Sequence, residues 1–258
     1  MAYKSLSLEG KRALAFGGTS GLGKSIALGF AEAGADVVPV SRRAEEVAKT
    51  AAEIRALGRR SMELTADVTR REDIQKVVDA MVKEMGRIDI LLNSAGTTKR
   101  MPSLELADAD WNRVMDINLK GTWFACQIVG RQMKAQSYGR IINIASIGGF
   151  QSLHEATAYV ASKGAVVMLT RNLGAEWTQF GITVNAIAPG VFETALNTAL
   201  INEPQRRASI MDHTPMKRFG NLKEIQGAAI FLVSDSASFV TAEIISVDGG
   251  FMAQGIGW

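Results

Sequence analysis

Seven short apolar runs alternate with helical patterns along the chain, and this alternation limits the fold more than any other feature. The runs fall at residues 12–16, 36–40, 61–64, 88–93, 140–145, 182–188 and 244–247. Helical patterns fill 21–33, 44–57, 71–85 and 111–136, with Gly34 and Gly58 closing the first two. A helix around Tyr159 follows, and a last helical stretch runs to about residue 235. Strands alternating with helices imply right-handed crossovers and a parallel sheet covered on both faces, a doubly wound α/β fold. No linker, repeat or low-complexity segment interrupts the rhythm, so residues 1–258 are expected to form a single domain. Pro39 lies inside the second run, where proline removes a ladder hydrogen bond, so that strand is expected to be short or distorted there.

With 47% hydrophobic and 21% charged residues, the chain can bury a large core. No stretch approaches the ~20 apolar residues that cross a bilayer, so no membrane partner is expected. A net charge of +3 would admit nucleic acid, but Arg42-Arg43 and Arg59-Arg60 are short clusters with acids close by. No basic stripe with interleaved aromatics exists, and nucleic-acid binding is not expected. The single cysteine, Cys126, cannot form an internal disulfide, and Met1 to Ser5 lead to Glu9 and Lys11 without an apolar signal region. A reducing, cytoplasmic setting is the expectation, and no metal site is.

Between the first strand and its helix stands Gly17-Gly18-Thr19-Ser20-Gly21-Leu22-Gly23. Glycines here permit a tight turn and let backbone N–H groups approach a pyrophosphate at the helix N-terminus, where the dipole favours anions. A glycine turn alone is often just a turn. Tyr159 and Lys163 stand four residues apart and share one helix face. A lysine charge beside a phenol favours the phenolate, and such a pair suits proton transfer to or from an alcohol. Alone, it is also an ordinary helix pair.

Six ordered motifs add to this pattern. They are the turn over 16–23; Asn93-Ser94-Ala95-Gly96; Asn118 within Asp116-Ile117-Asn118-Leu119; Ser146, thirteen residues before Tyr159; Pro189-Gly190 with Thr194 following; and Asp248-Gly249-Gly250. Together they resemble the short-chain dehydrogenase/reductase family over nearly the whole chain. Phe16 and Ser94 depart from the family's usual Thr and Asn, and altered packing rather than lost activity is the expectation.

The resemblance implies a Rossmann-type sheet of about seven strands and hydride exchange between a nicotinamide coenzyme and a CH–OH group. It implies that Tyr159 is the general acid or base, that Lys163 lowers its pKa and bonds the nicotinamide ribose, that Ser146 bonds the substrate oxygen, and that Asn118 holds a relay water. The coenzyme residues it implies are Gly17, Thr19, Ser20, Gly21, Leu22, Gly23, Ser41, Arg42, Asp67, Val68, Asn93, Ala95, Gly96, Pro189, Gly190, Val191 and Thr194, with Tyr159 and Lys163. Asp67 has an alternative role as a helix cap.

The second strand ends in Ser41-Arg42-Arg43 without the carboxylate that would bond a ribose 2′-hydroxyl. A hydroxyl and a guanidinium suit a 2′-phosphate, so NADP(H) is expected, with NAD(H) as the alternative. The substrate loop is expected at about 191–215, where Phe192, Glu193, Asn197, Asn202 and His213 give a mixed character. Lys99-Arg100 resembles a basic pair in sugar-acid members such as gluconate 5-dehydrogenases, and Arg100 could clamp a carboxylate. His154 could bond a polyol. The end from Asp248 to Trp258 also resembles the sugar and sugar-acid branch. A sugar, polyol or sugar acid is therefore the expected substrate. A 3-oxoacyl-[acyl-carrier-protein] reductase and a non-catalytic cofactor-binding relative are the rivals. The resemblance further implies a homotetramer, built on the helices after Trp111 and Tyr159 and on the last strand. Trp123, Phe124, Val166 and Trp177 are candidate contacts that core packing explains equally well.

Overall fold

A computed structural model describes residues 4–194 and 197–255. Residues 195–196 of the expected substrate loop and 256–258 of the C-terminal tail lie outside the described residues, as do 1–3. The strands are β1 (Arg12–Phe16), β2 (Asp36–Ser41), β3 (Leu64–Thr65), β4 (Ile90–Asn93), β5 (Gly139–Ile144), β6 (Ile182–Pro189) and β7 (Ile244–Val247). They form one parallel sheet in the order β3-β2-β1-β4-β5-β6-β7. The helices are α1 (Gly21–Glu32), α2 (Ala44–Ala56), α3 (Arg71–Met85), α4 (Asp108–Met115), α5 (Gly121–Gln136), α6 (Thr157–Glu176), α7 (Thr198–Ile201), α8 (Pro204–His213) and α9 (Gln226–Val233).

Side chains alternate across each strand, so one strand feeds two cores. Leu14, Phe16, Val38, Val40 and Leu91 pack beneath α3, α5 and α6 with Met81, Val129 and Leu173. Ala13, Ala15, Val37, Ile90 and Leu92 face α1, α2 and α9 with Ile26, Phe30, Ile54 and Leu232. Burial on both faces explains why the strand runs read as nearly continuous apolar sequence. Phe16 is 1% exposed within the first of these cores, so its departure from the family's usual threonine is a packing change. Trp123, Phe124 and Trp177 also lean on that core, and Val166 is buried, so packing within the subunit accounts for all four.

Pro39 shortens β3 rather than β2. Val40 O accepts from Gly17 N beside β1, so residues 37, 39 and 41 turn their backbone groups the other way, towards β3. There Val37 N donates to Arg60 O and Ser41 O accepts from Ala66 N, but Pro39 has no N–H to offer between them. The ladder with β3 therefore covers only Val40–Leu64 and Ser41–Thr65, while β2 keeps its full pairing with β1.

The predicted helix over 111–136 is α4 and α5 joined end to end by a five-residue π-turn, Asp116–Lys120. Strand order reverses at β1, with β2 on one side and β4 on the other. In open α/β sheets a crevice forms outside the carboxyl ends of the strands at such a switch point.

Candidate active site

At this switch point the chain leaves β1 through the glycine turn. Gly17 and Gly21 have φ of +74° and +51°, in the region that favours glycine. A Cβ on Gly17 would stand 2.5 Å from Ala95 N, and one on Gly23 would collide with Gly17 O and stand 2.7 Å from Ser94 Oγ. The turn is thus pressed against the loop after β4, with Ser94 N donating to Phe16 O at 2.9 Å. Ser20 precedes α1 in extended conformation and its side chain makes no cap hydrogen bond. The first N–H groups of α1 are left with the positive end of the helix dipole facing the crevice.

A cavity of about 580 Å³ starts here and runs along the carboxyl ends of the strands. Gly17, Thr19, Ser20, Gly21, Leu22 and Gly23 line its floor. Ser41, Arg42, Asp67 and Val68 line one end, and Ala95, Gly96, Pro189, Gly190 and Thr194 line its middle. Ser146, Tyr159 and Lys163 stand at the other end. The sequence had pointed to all of these residues separately. It singled out neither Ala66, Thr97, Arg113 nor Ala145, which also line the cavity. Thr97 adjoins Gly96 and Ala145 adjoins Ser146, so adjacency was their signal; Arg113 had none.

Burial dominates the protonation of the Tyr159–Lys163 pair. Lys163 is 5% exposed, and burial depresses its pKa to about 8. Its Nζ donates to Ile144 O at 2.6 Å and stands 5.8 Å from the Tyr159 ring centroid. Burial raises the Tyr159 phenol above its ordinary range, and contact with the Ser146 hydroxyl and the charge of Arg100 offset only part of that rise. Arg100 is the cation whose charge favours the phenolate, and the Lys163 ammonium is turned to a backbone carbonyl. Ser146 is 5% exposed, and its Oγ accepts from Gly148 N at 3.0 Å.

Five expected residues stand behind or beside the cavity. Asn93 Nδ2 donates to Asn143 Oδ1 at 2.9 Å, tying β4 to β5. Asn118, fully buried in the π-turn, accepts from Thr97 N at 2.8 Å and donates to Thr97 O at 2.9 Å and Ser162 Oγ at 3.0 Å. Its carbonyl accepts from Thr122 Oγ1 at 2.7 Å. The amide thus pins the loop after β4 over the site. Val191 lines a neighbouring cavity of about 380 Å³ instead.

The fourth is His154, which does not line the cavity. Its ring is 78% exposed, and Nε2 lies 3.5 Å from Glu155 Oε1. A loop position gives no periodicity from which side-chain direction could be read. Arg100 is also outside the cavity wall but near enough to act on the phenol, and its Nη1 donates to His154 O at 2.9 Å. Asp67 does not cap α3, whose N-cap is Arg70. Its Oδ1 accepts from Thr69 N at 2.9 Å, and Arg42 stands 3.9 Å from its other oxygen. Burial works against that carboxylate, but the Thr69 hydrogen bonds and the charges of Arg42 and Arg70 outweigh it and hold the pKa low.

Among the described residues no helix is long and apolar enough to cross a membrane, and no group of three or more His, Cys, Asp or Glu could hold a metal ion.

A doubly wound sheet whose switch-point cavity joins a glycine turn to a Ser–Tyr–Lys group defines a class, the Rossmann-type dehydrogenases. Within it, the chain belongs to the short-chain dehydrogenase/reductase family. Residues 17–252 match the family described as enoyl-(acyl carrier protein) reductase. The chain is 40% identical to the 2-dehydro-3-deoxy-D-gluconate 5-dehydrogenase of Escherichia coli, over 98% of this chain and all of that one. It is 38% identical to an NAD-dependent glycerol dehydrogenase of Listeria innocua, over 96% of each. A gluconate 5-dehydrogenase from Burkholderia cenocepacia, solved with NADP and tartrate, superposes with a TM-score of 0.96 at 37% identity, covering 99% of this chain and all of that one. The chain is accordingly similar to dehydrogenases and reductases that act on CH–OH groups.

Proposed function

We propose that this enzyme interconverts a secondary alcohol and a ketone on a sugar acid, using NADP(H) in preference to NAD(H). The observation that carries the reading is one cavity bounded by the glycine turn at its floor and by Ser146, Tyr159 and Lys163 at one end. A nicotinamide dinucleotide fits it. The turn leaves no room for Cβ atoms at Gly17 and Gly23, and the unmet N–H groups of α1 suit a pyrophosphate. Arg42, 69% exposed beside Asp67, suits a 2′-phosphate, and Ala95, Gly96, Pro189, Gly190 and Thr194 would flank the nicotinamide half. When bound, the coenzyme supplies or accepts the hydride.

The chain's own residues handle the proton and the oxygen. Ser146 holds the substrate oxygen and steadies charge as it develops there. Tyr159 gives a proton to that oxygen in reduction and takes one in oxidation. Lys163, poised near pH 8, passes the proton on from behind the phenol. Asn118 acts by position, through the loop it holds. The likeness to gluconate-type dehydrogenases supports a sugar acid, and the likeness to a glycerol dehydrogenase keeps neutral polyols in the test. The segment 191–215 is the proposed substrate loop. A homotetramer in the cytoplasm is part of the proposal, with exposed Met168 of α6 and Phe239 as apolar surface for contacts between subunits.

The test follows reduced-nicotinamide absorbance over sugar acids, neutral polyols and ketoacyl thioesters, with each coenzyme. Turnover of acids with NADP(H) supports the reading; turnover of thioesters alone overturns it. Tyr159→Phe should abolish turnover and leave coenzyme binding intact, as read by quenching of protein fluorescence.

A further inference from the structure

We infer that Arg206 joins Arg100 in a paired carboxylate site at the mouth of the reaction chamber, and that Arg206 selects sugar acids over neutral polyols. The inference rests on the reaction proposed above and names what selects its substrate. Arg100 comes from the loop after β4 and Arg206 from α8, yet both donate to one oxygen. His154 O accepts from Arg100 Nη1 at 2.9 Å and from Arg206 Nη2 at 3.2 Å. Two like charges are thereby drawn together, and the repulsion is felt. After burial, the charge of Arg206 is the next cause lowering the pKa of Arg100.

Among the described residues, neither guanidinium has a carboxylate within ion-pair distance. The cation next to Arg100 does: Lys99 pairs with Asp110 at 3.3 Å. Glu155, the nearest acid felt by Arg100, stands 3.5 Å from the His154 ring. Each guanidinium carries five N–H donors, and a single carbonyl cannot use them. Two forks aimed at one point match the two oxygens of a carboxylate. Arg100 also acts on the Tyr159 phenol, so an anion held here lies beside the reacting end of the cavity. A polyhydroxy acid could then be anchored by its carboxylate while a hydroxyl further along its chain meets Tyr159 and Ser146. A neutral polyol would gain nothing from Arg206.

The experiment measures steady-state kinetics of the full-length enzyme at saturating coenzyme, with D-gluconate and D-sorbitol as substrates and tartrate as inhibitor. Loss of one charge-assisted contact in Arg206→Gln should raise KM for gluconate about tenfold or more, with kcat changed by less than about twofold. Tartrate inhibition should weaken in parallel, sorbitol kinetics should stay as in the wild type, and Arg206→Lys should recover part of the loss. Equal losses for gluconate and sorbitol would assign Arg206 to holding α8 in place and overturn the inference, as would unchanged gluconate kinetics. A wild-type enzyme that neither turns over gluconate nor binds tartrate would overturn the sugar-acid reading itself, and this inference with it.

Discussion

Lys163 is depressed to about 8 and Tyr159 raised by the same cause, burial in the end of the cavity. At neutral pH the phenol keeps its proton, which is the form that reduction of a ketone needs. Oxidation of an alcohol needs the phenolate. The oxidation rate is therefore expected to climb through the alkaline range while the reduction rate falls, in paired pH profiles of kcat/KM. Arg100→Gln removes a charge that favours the phenolate, so the alkaline rise of oxidation should move to higher pH. At the other end of the cavity, Arg42→Asp should weaken NADP(H) by roughly tenfold or more and spare NAD(H), since one charge-assisted phosphate contact is lost. Equal loss of both coenzymes in fluorescence titrations would remove Arg42 as the discriminator. Ser146, Tyr159 and Lys163 were legible because family spacing is a covalent property of the chain. The direction of the Lys163 ammonium was not, since residues four apart share a helix face whatever lies beneath them.

Element boundaries carry the positioning. The π-turn sets Asn118 against Thr97, and wide turns of this kind recur at functional sites because they change what a helix face presents. Periodicity could not show it, because the turn spans five residues, fewer than the window over which a helical period can be read. The glycine turn is the opposite case, legible because only glycine tolerates its geometry. Gly23→Ala puts a methyl group against Gly17 O and Ser94 Oγ, backbone and a short side chain that cannot step aside. It should cost about 1–3 kcal/mol of stability by overpacking and reduce coenzyme affinity in the same variant, measured by denaturant unfolding and by titration. β3 was overestimated from its apolar run because the deciding residue, Pro39, belongs to the neighbouring strand.

For the whole molecule, Lys163 links stability to pH in the direction opposite to an ion-paired lysine, whose folded pKa is raised. Its folded pKa lies below the value of roughly 10.4 for an unfolded lysine, so between those pH values the unfolded chain binds more protons. Folding is therefore penalised fully below about pH 8, and the penalty is relieved as pH rises towards 10. Relative to Lys163→Met, the wild-type protein should gain roughly 3 kcal/mol across that window in denaturant unfolding without coenzyme. A flat difference would mean the lysine is hydrated in the folded state. The sheet order and two-sided core were readable from the strand–helix alternation, because a parallel sheet needs a crossover for every strand.

The effect of Pro39 on β3 reaches beyond the subunit. A sheet with two open margins can add strands at both and grow without limit. Here one margin is the two-residue β3, too short to template another chain, while β7 at the other presents four residues. Any association through the sheet is thus one-sided: two subunits meeting at β7 about a twofold axis use up the only competent margin, and the assembly closes instead of propagating into a fibre.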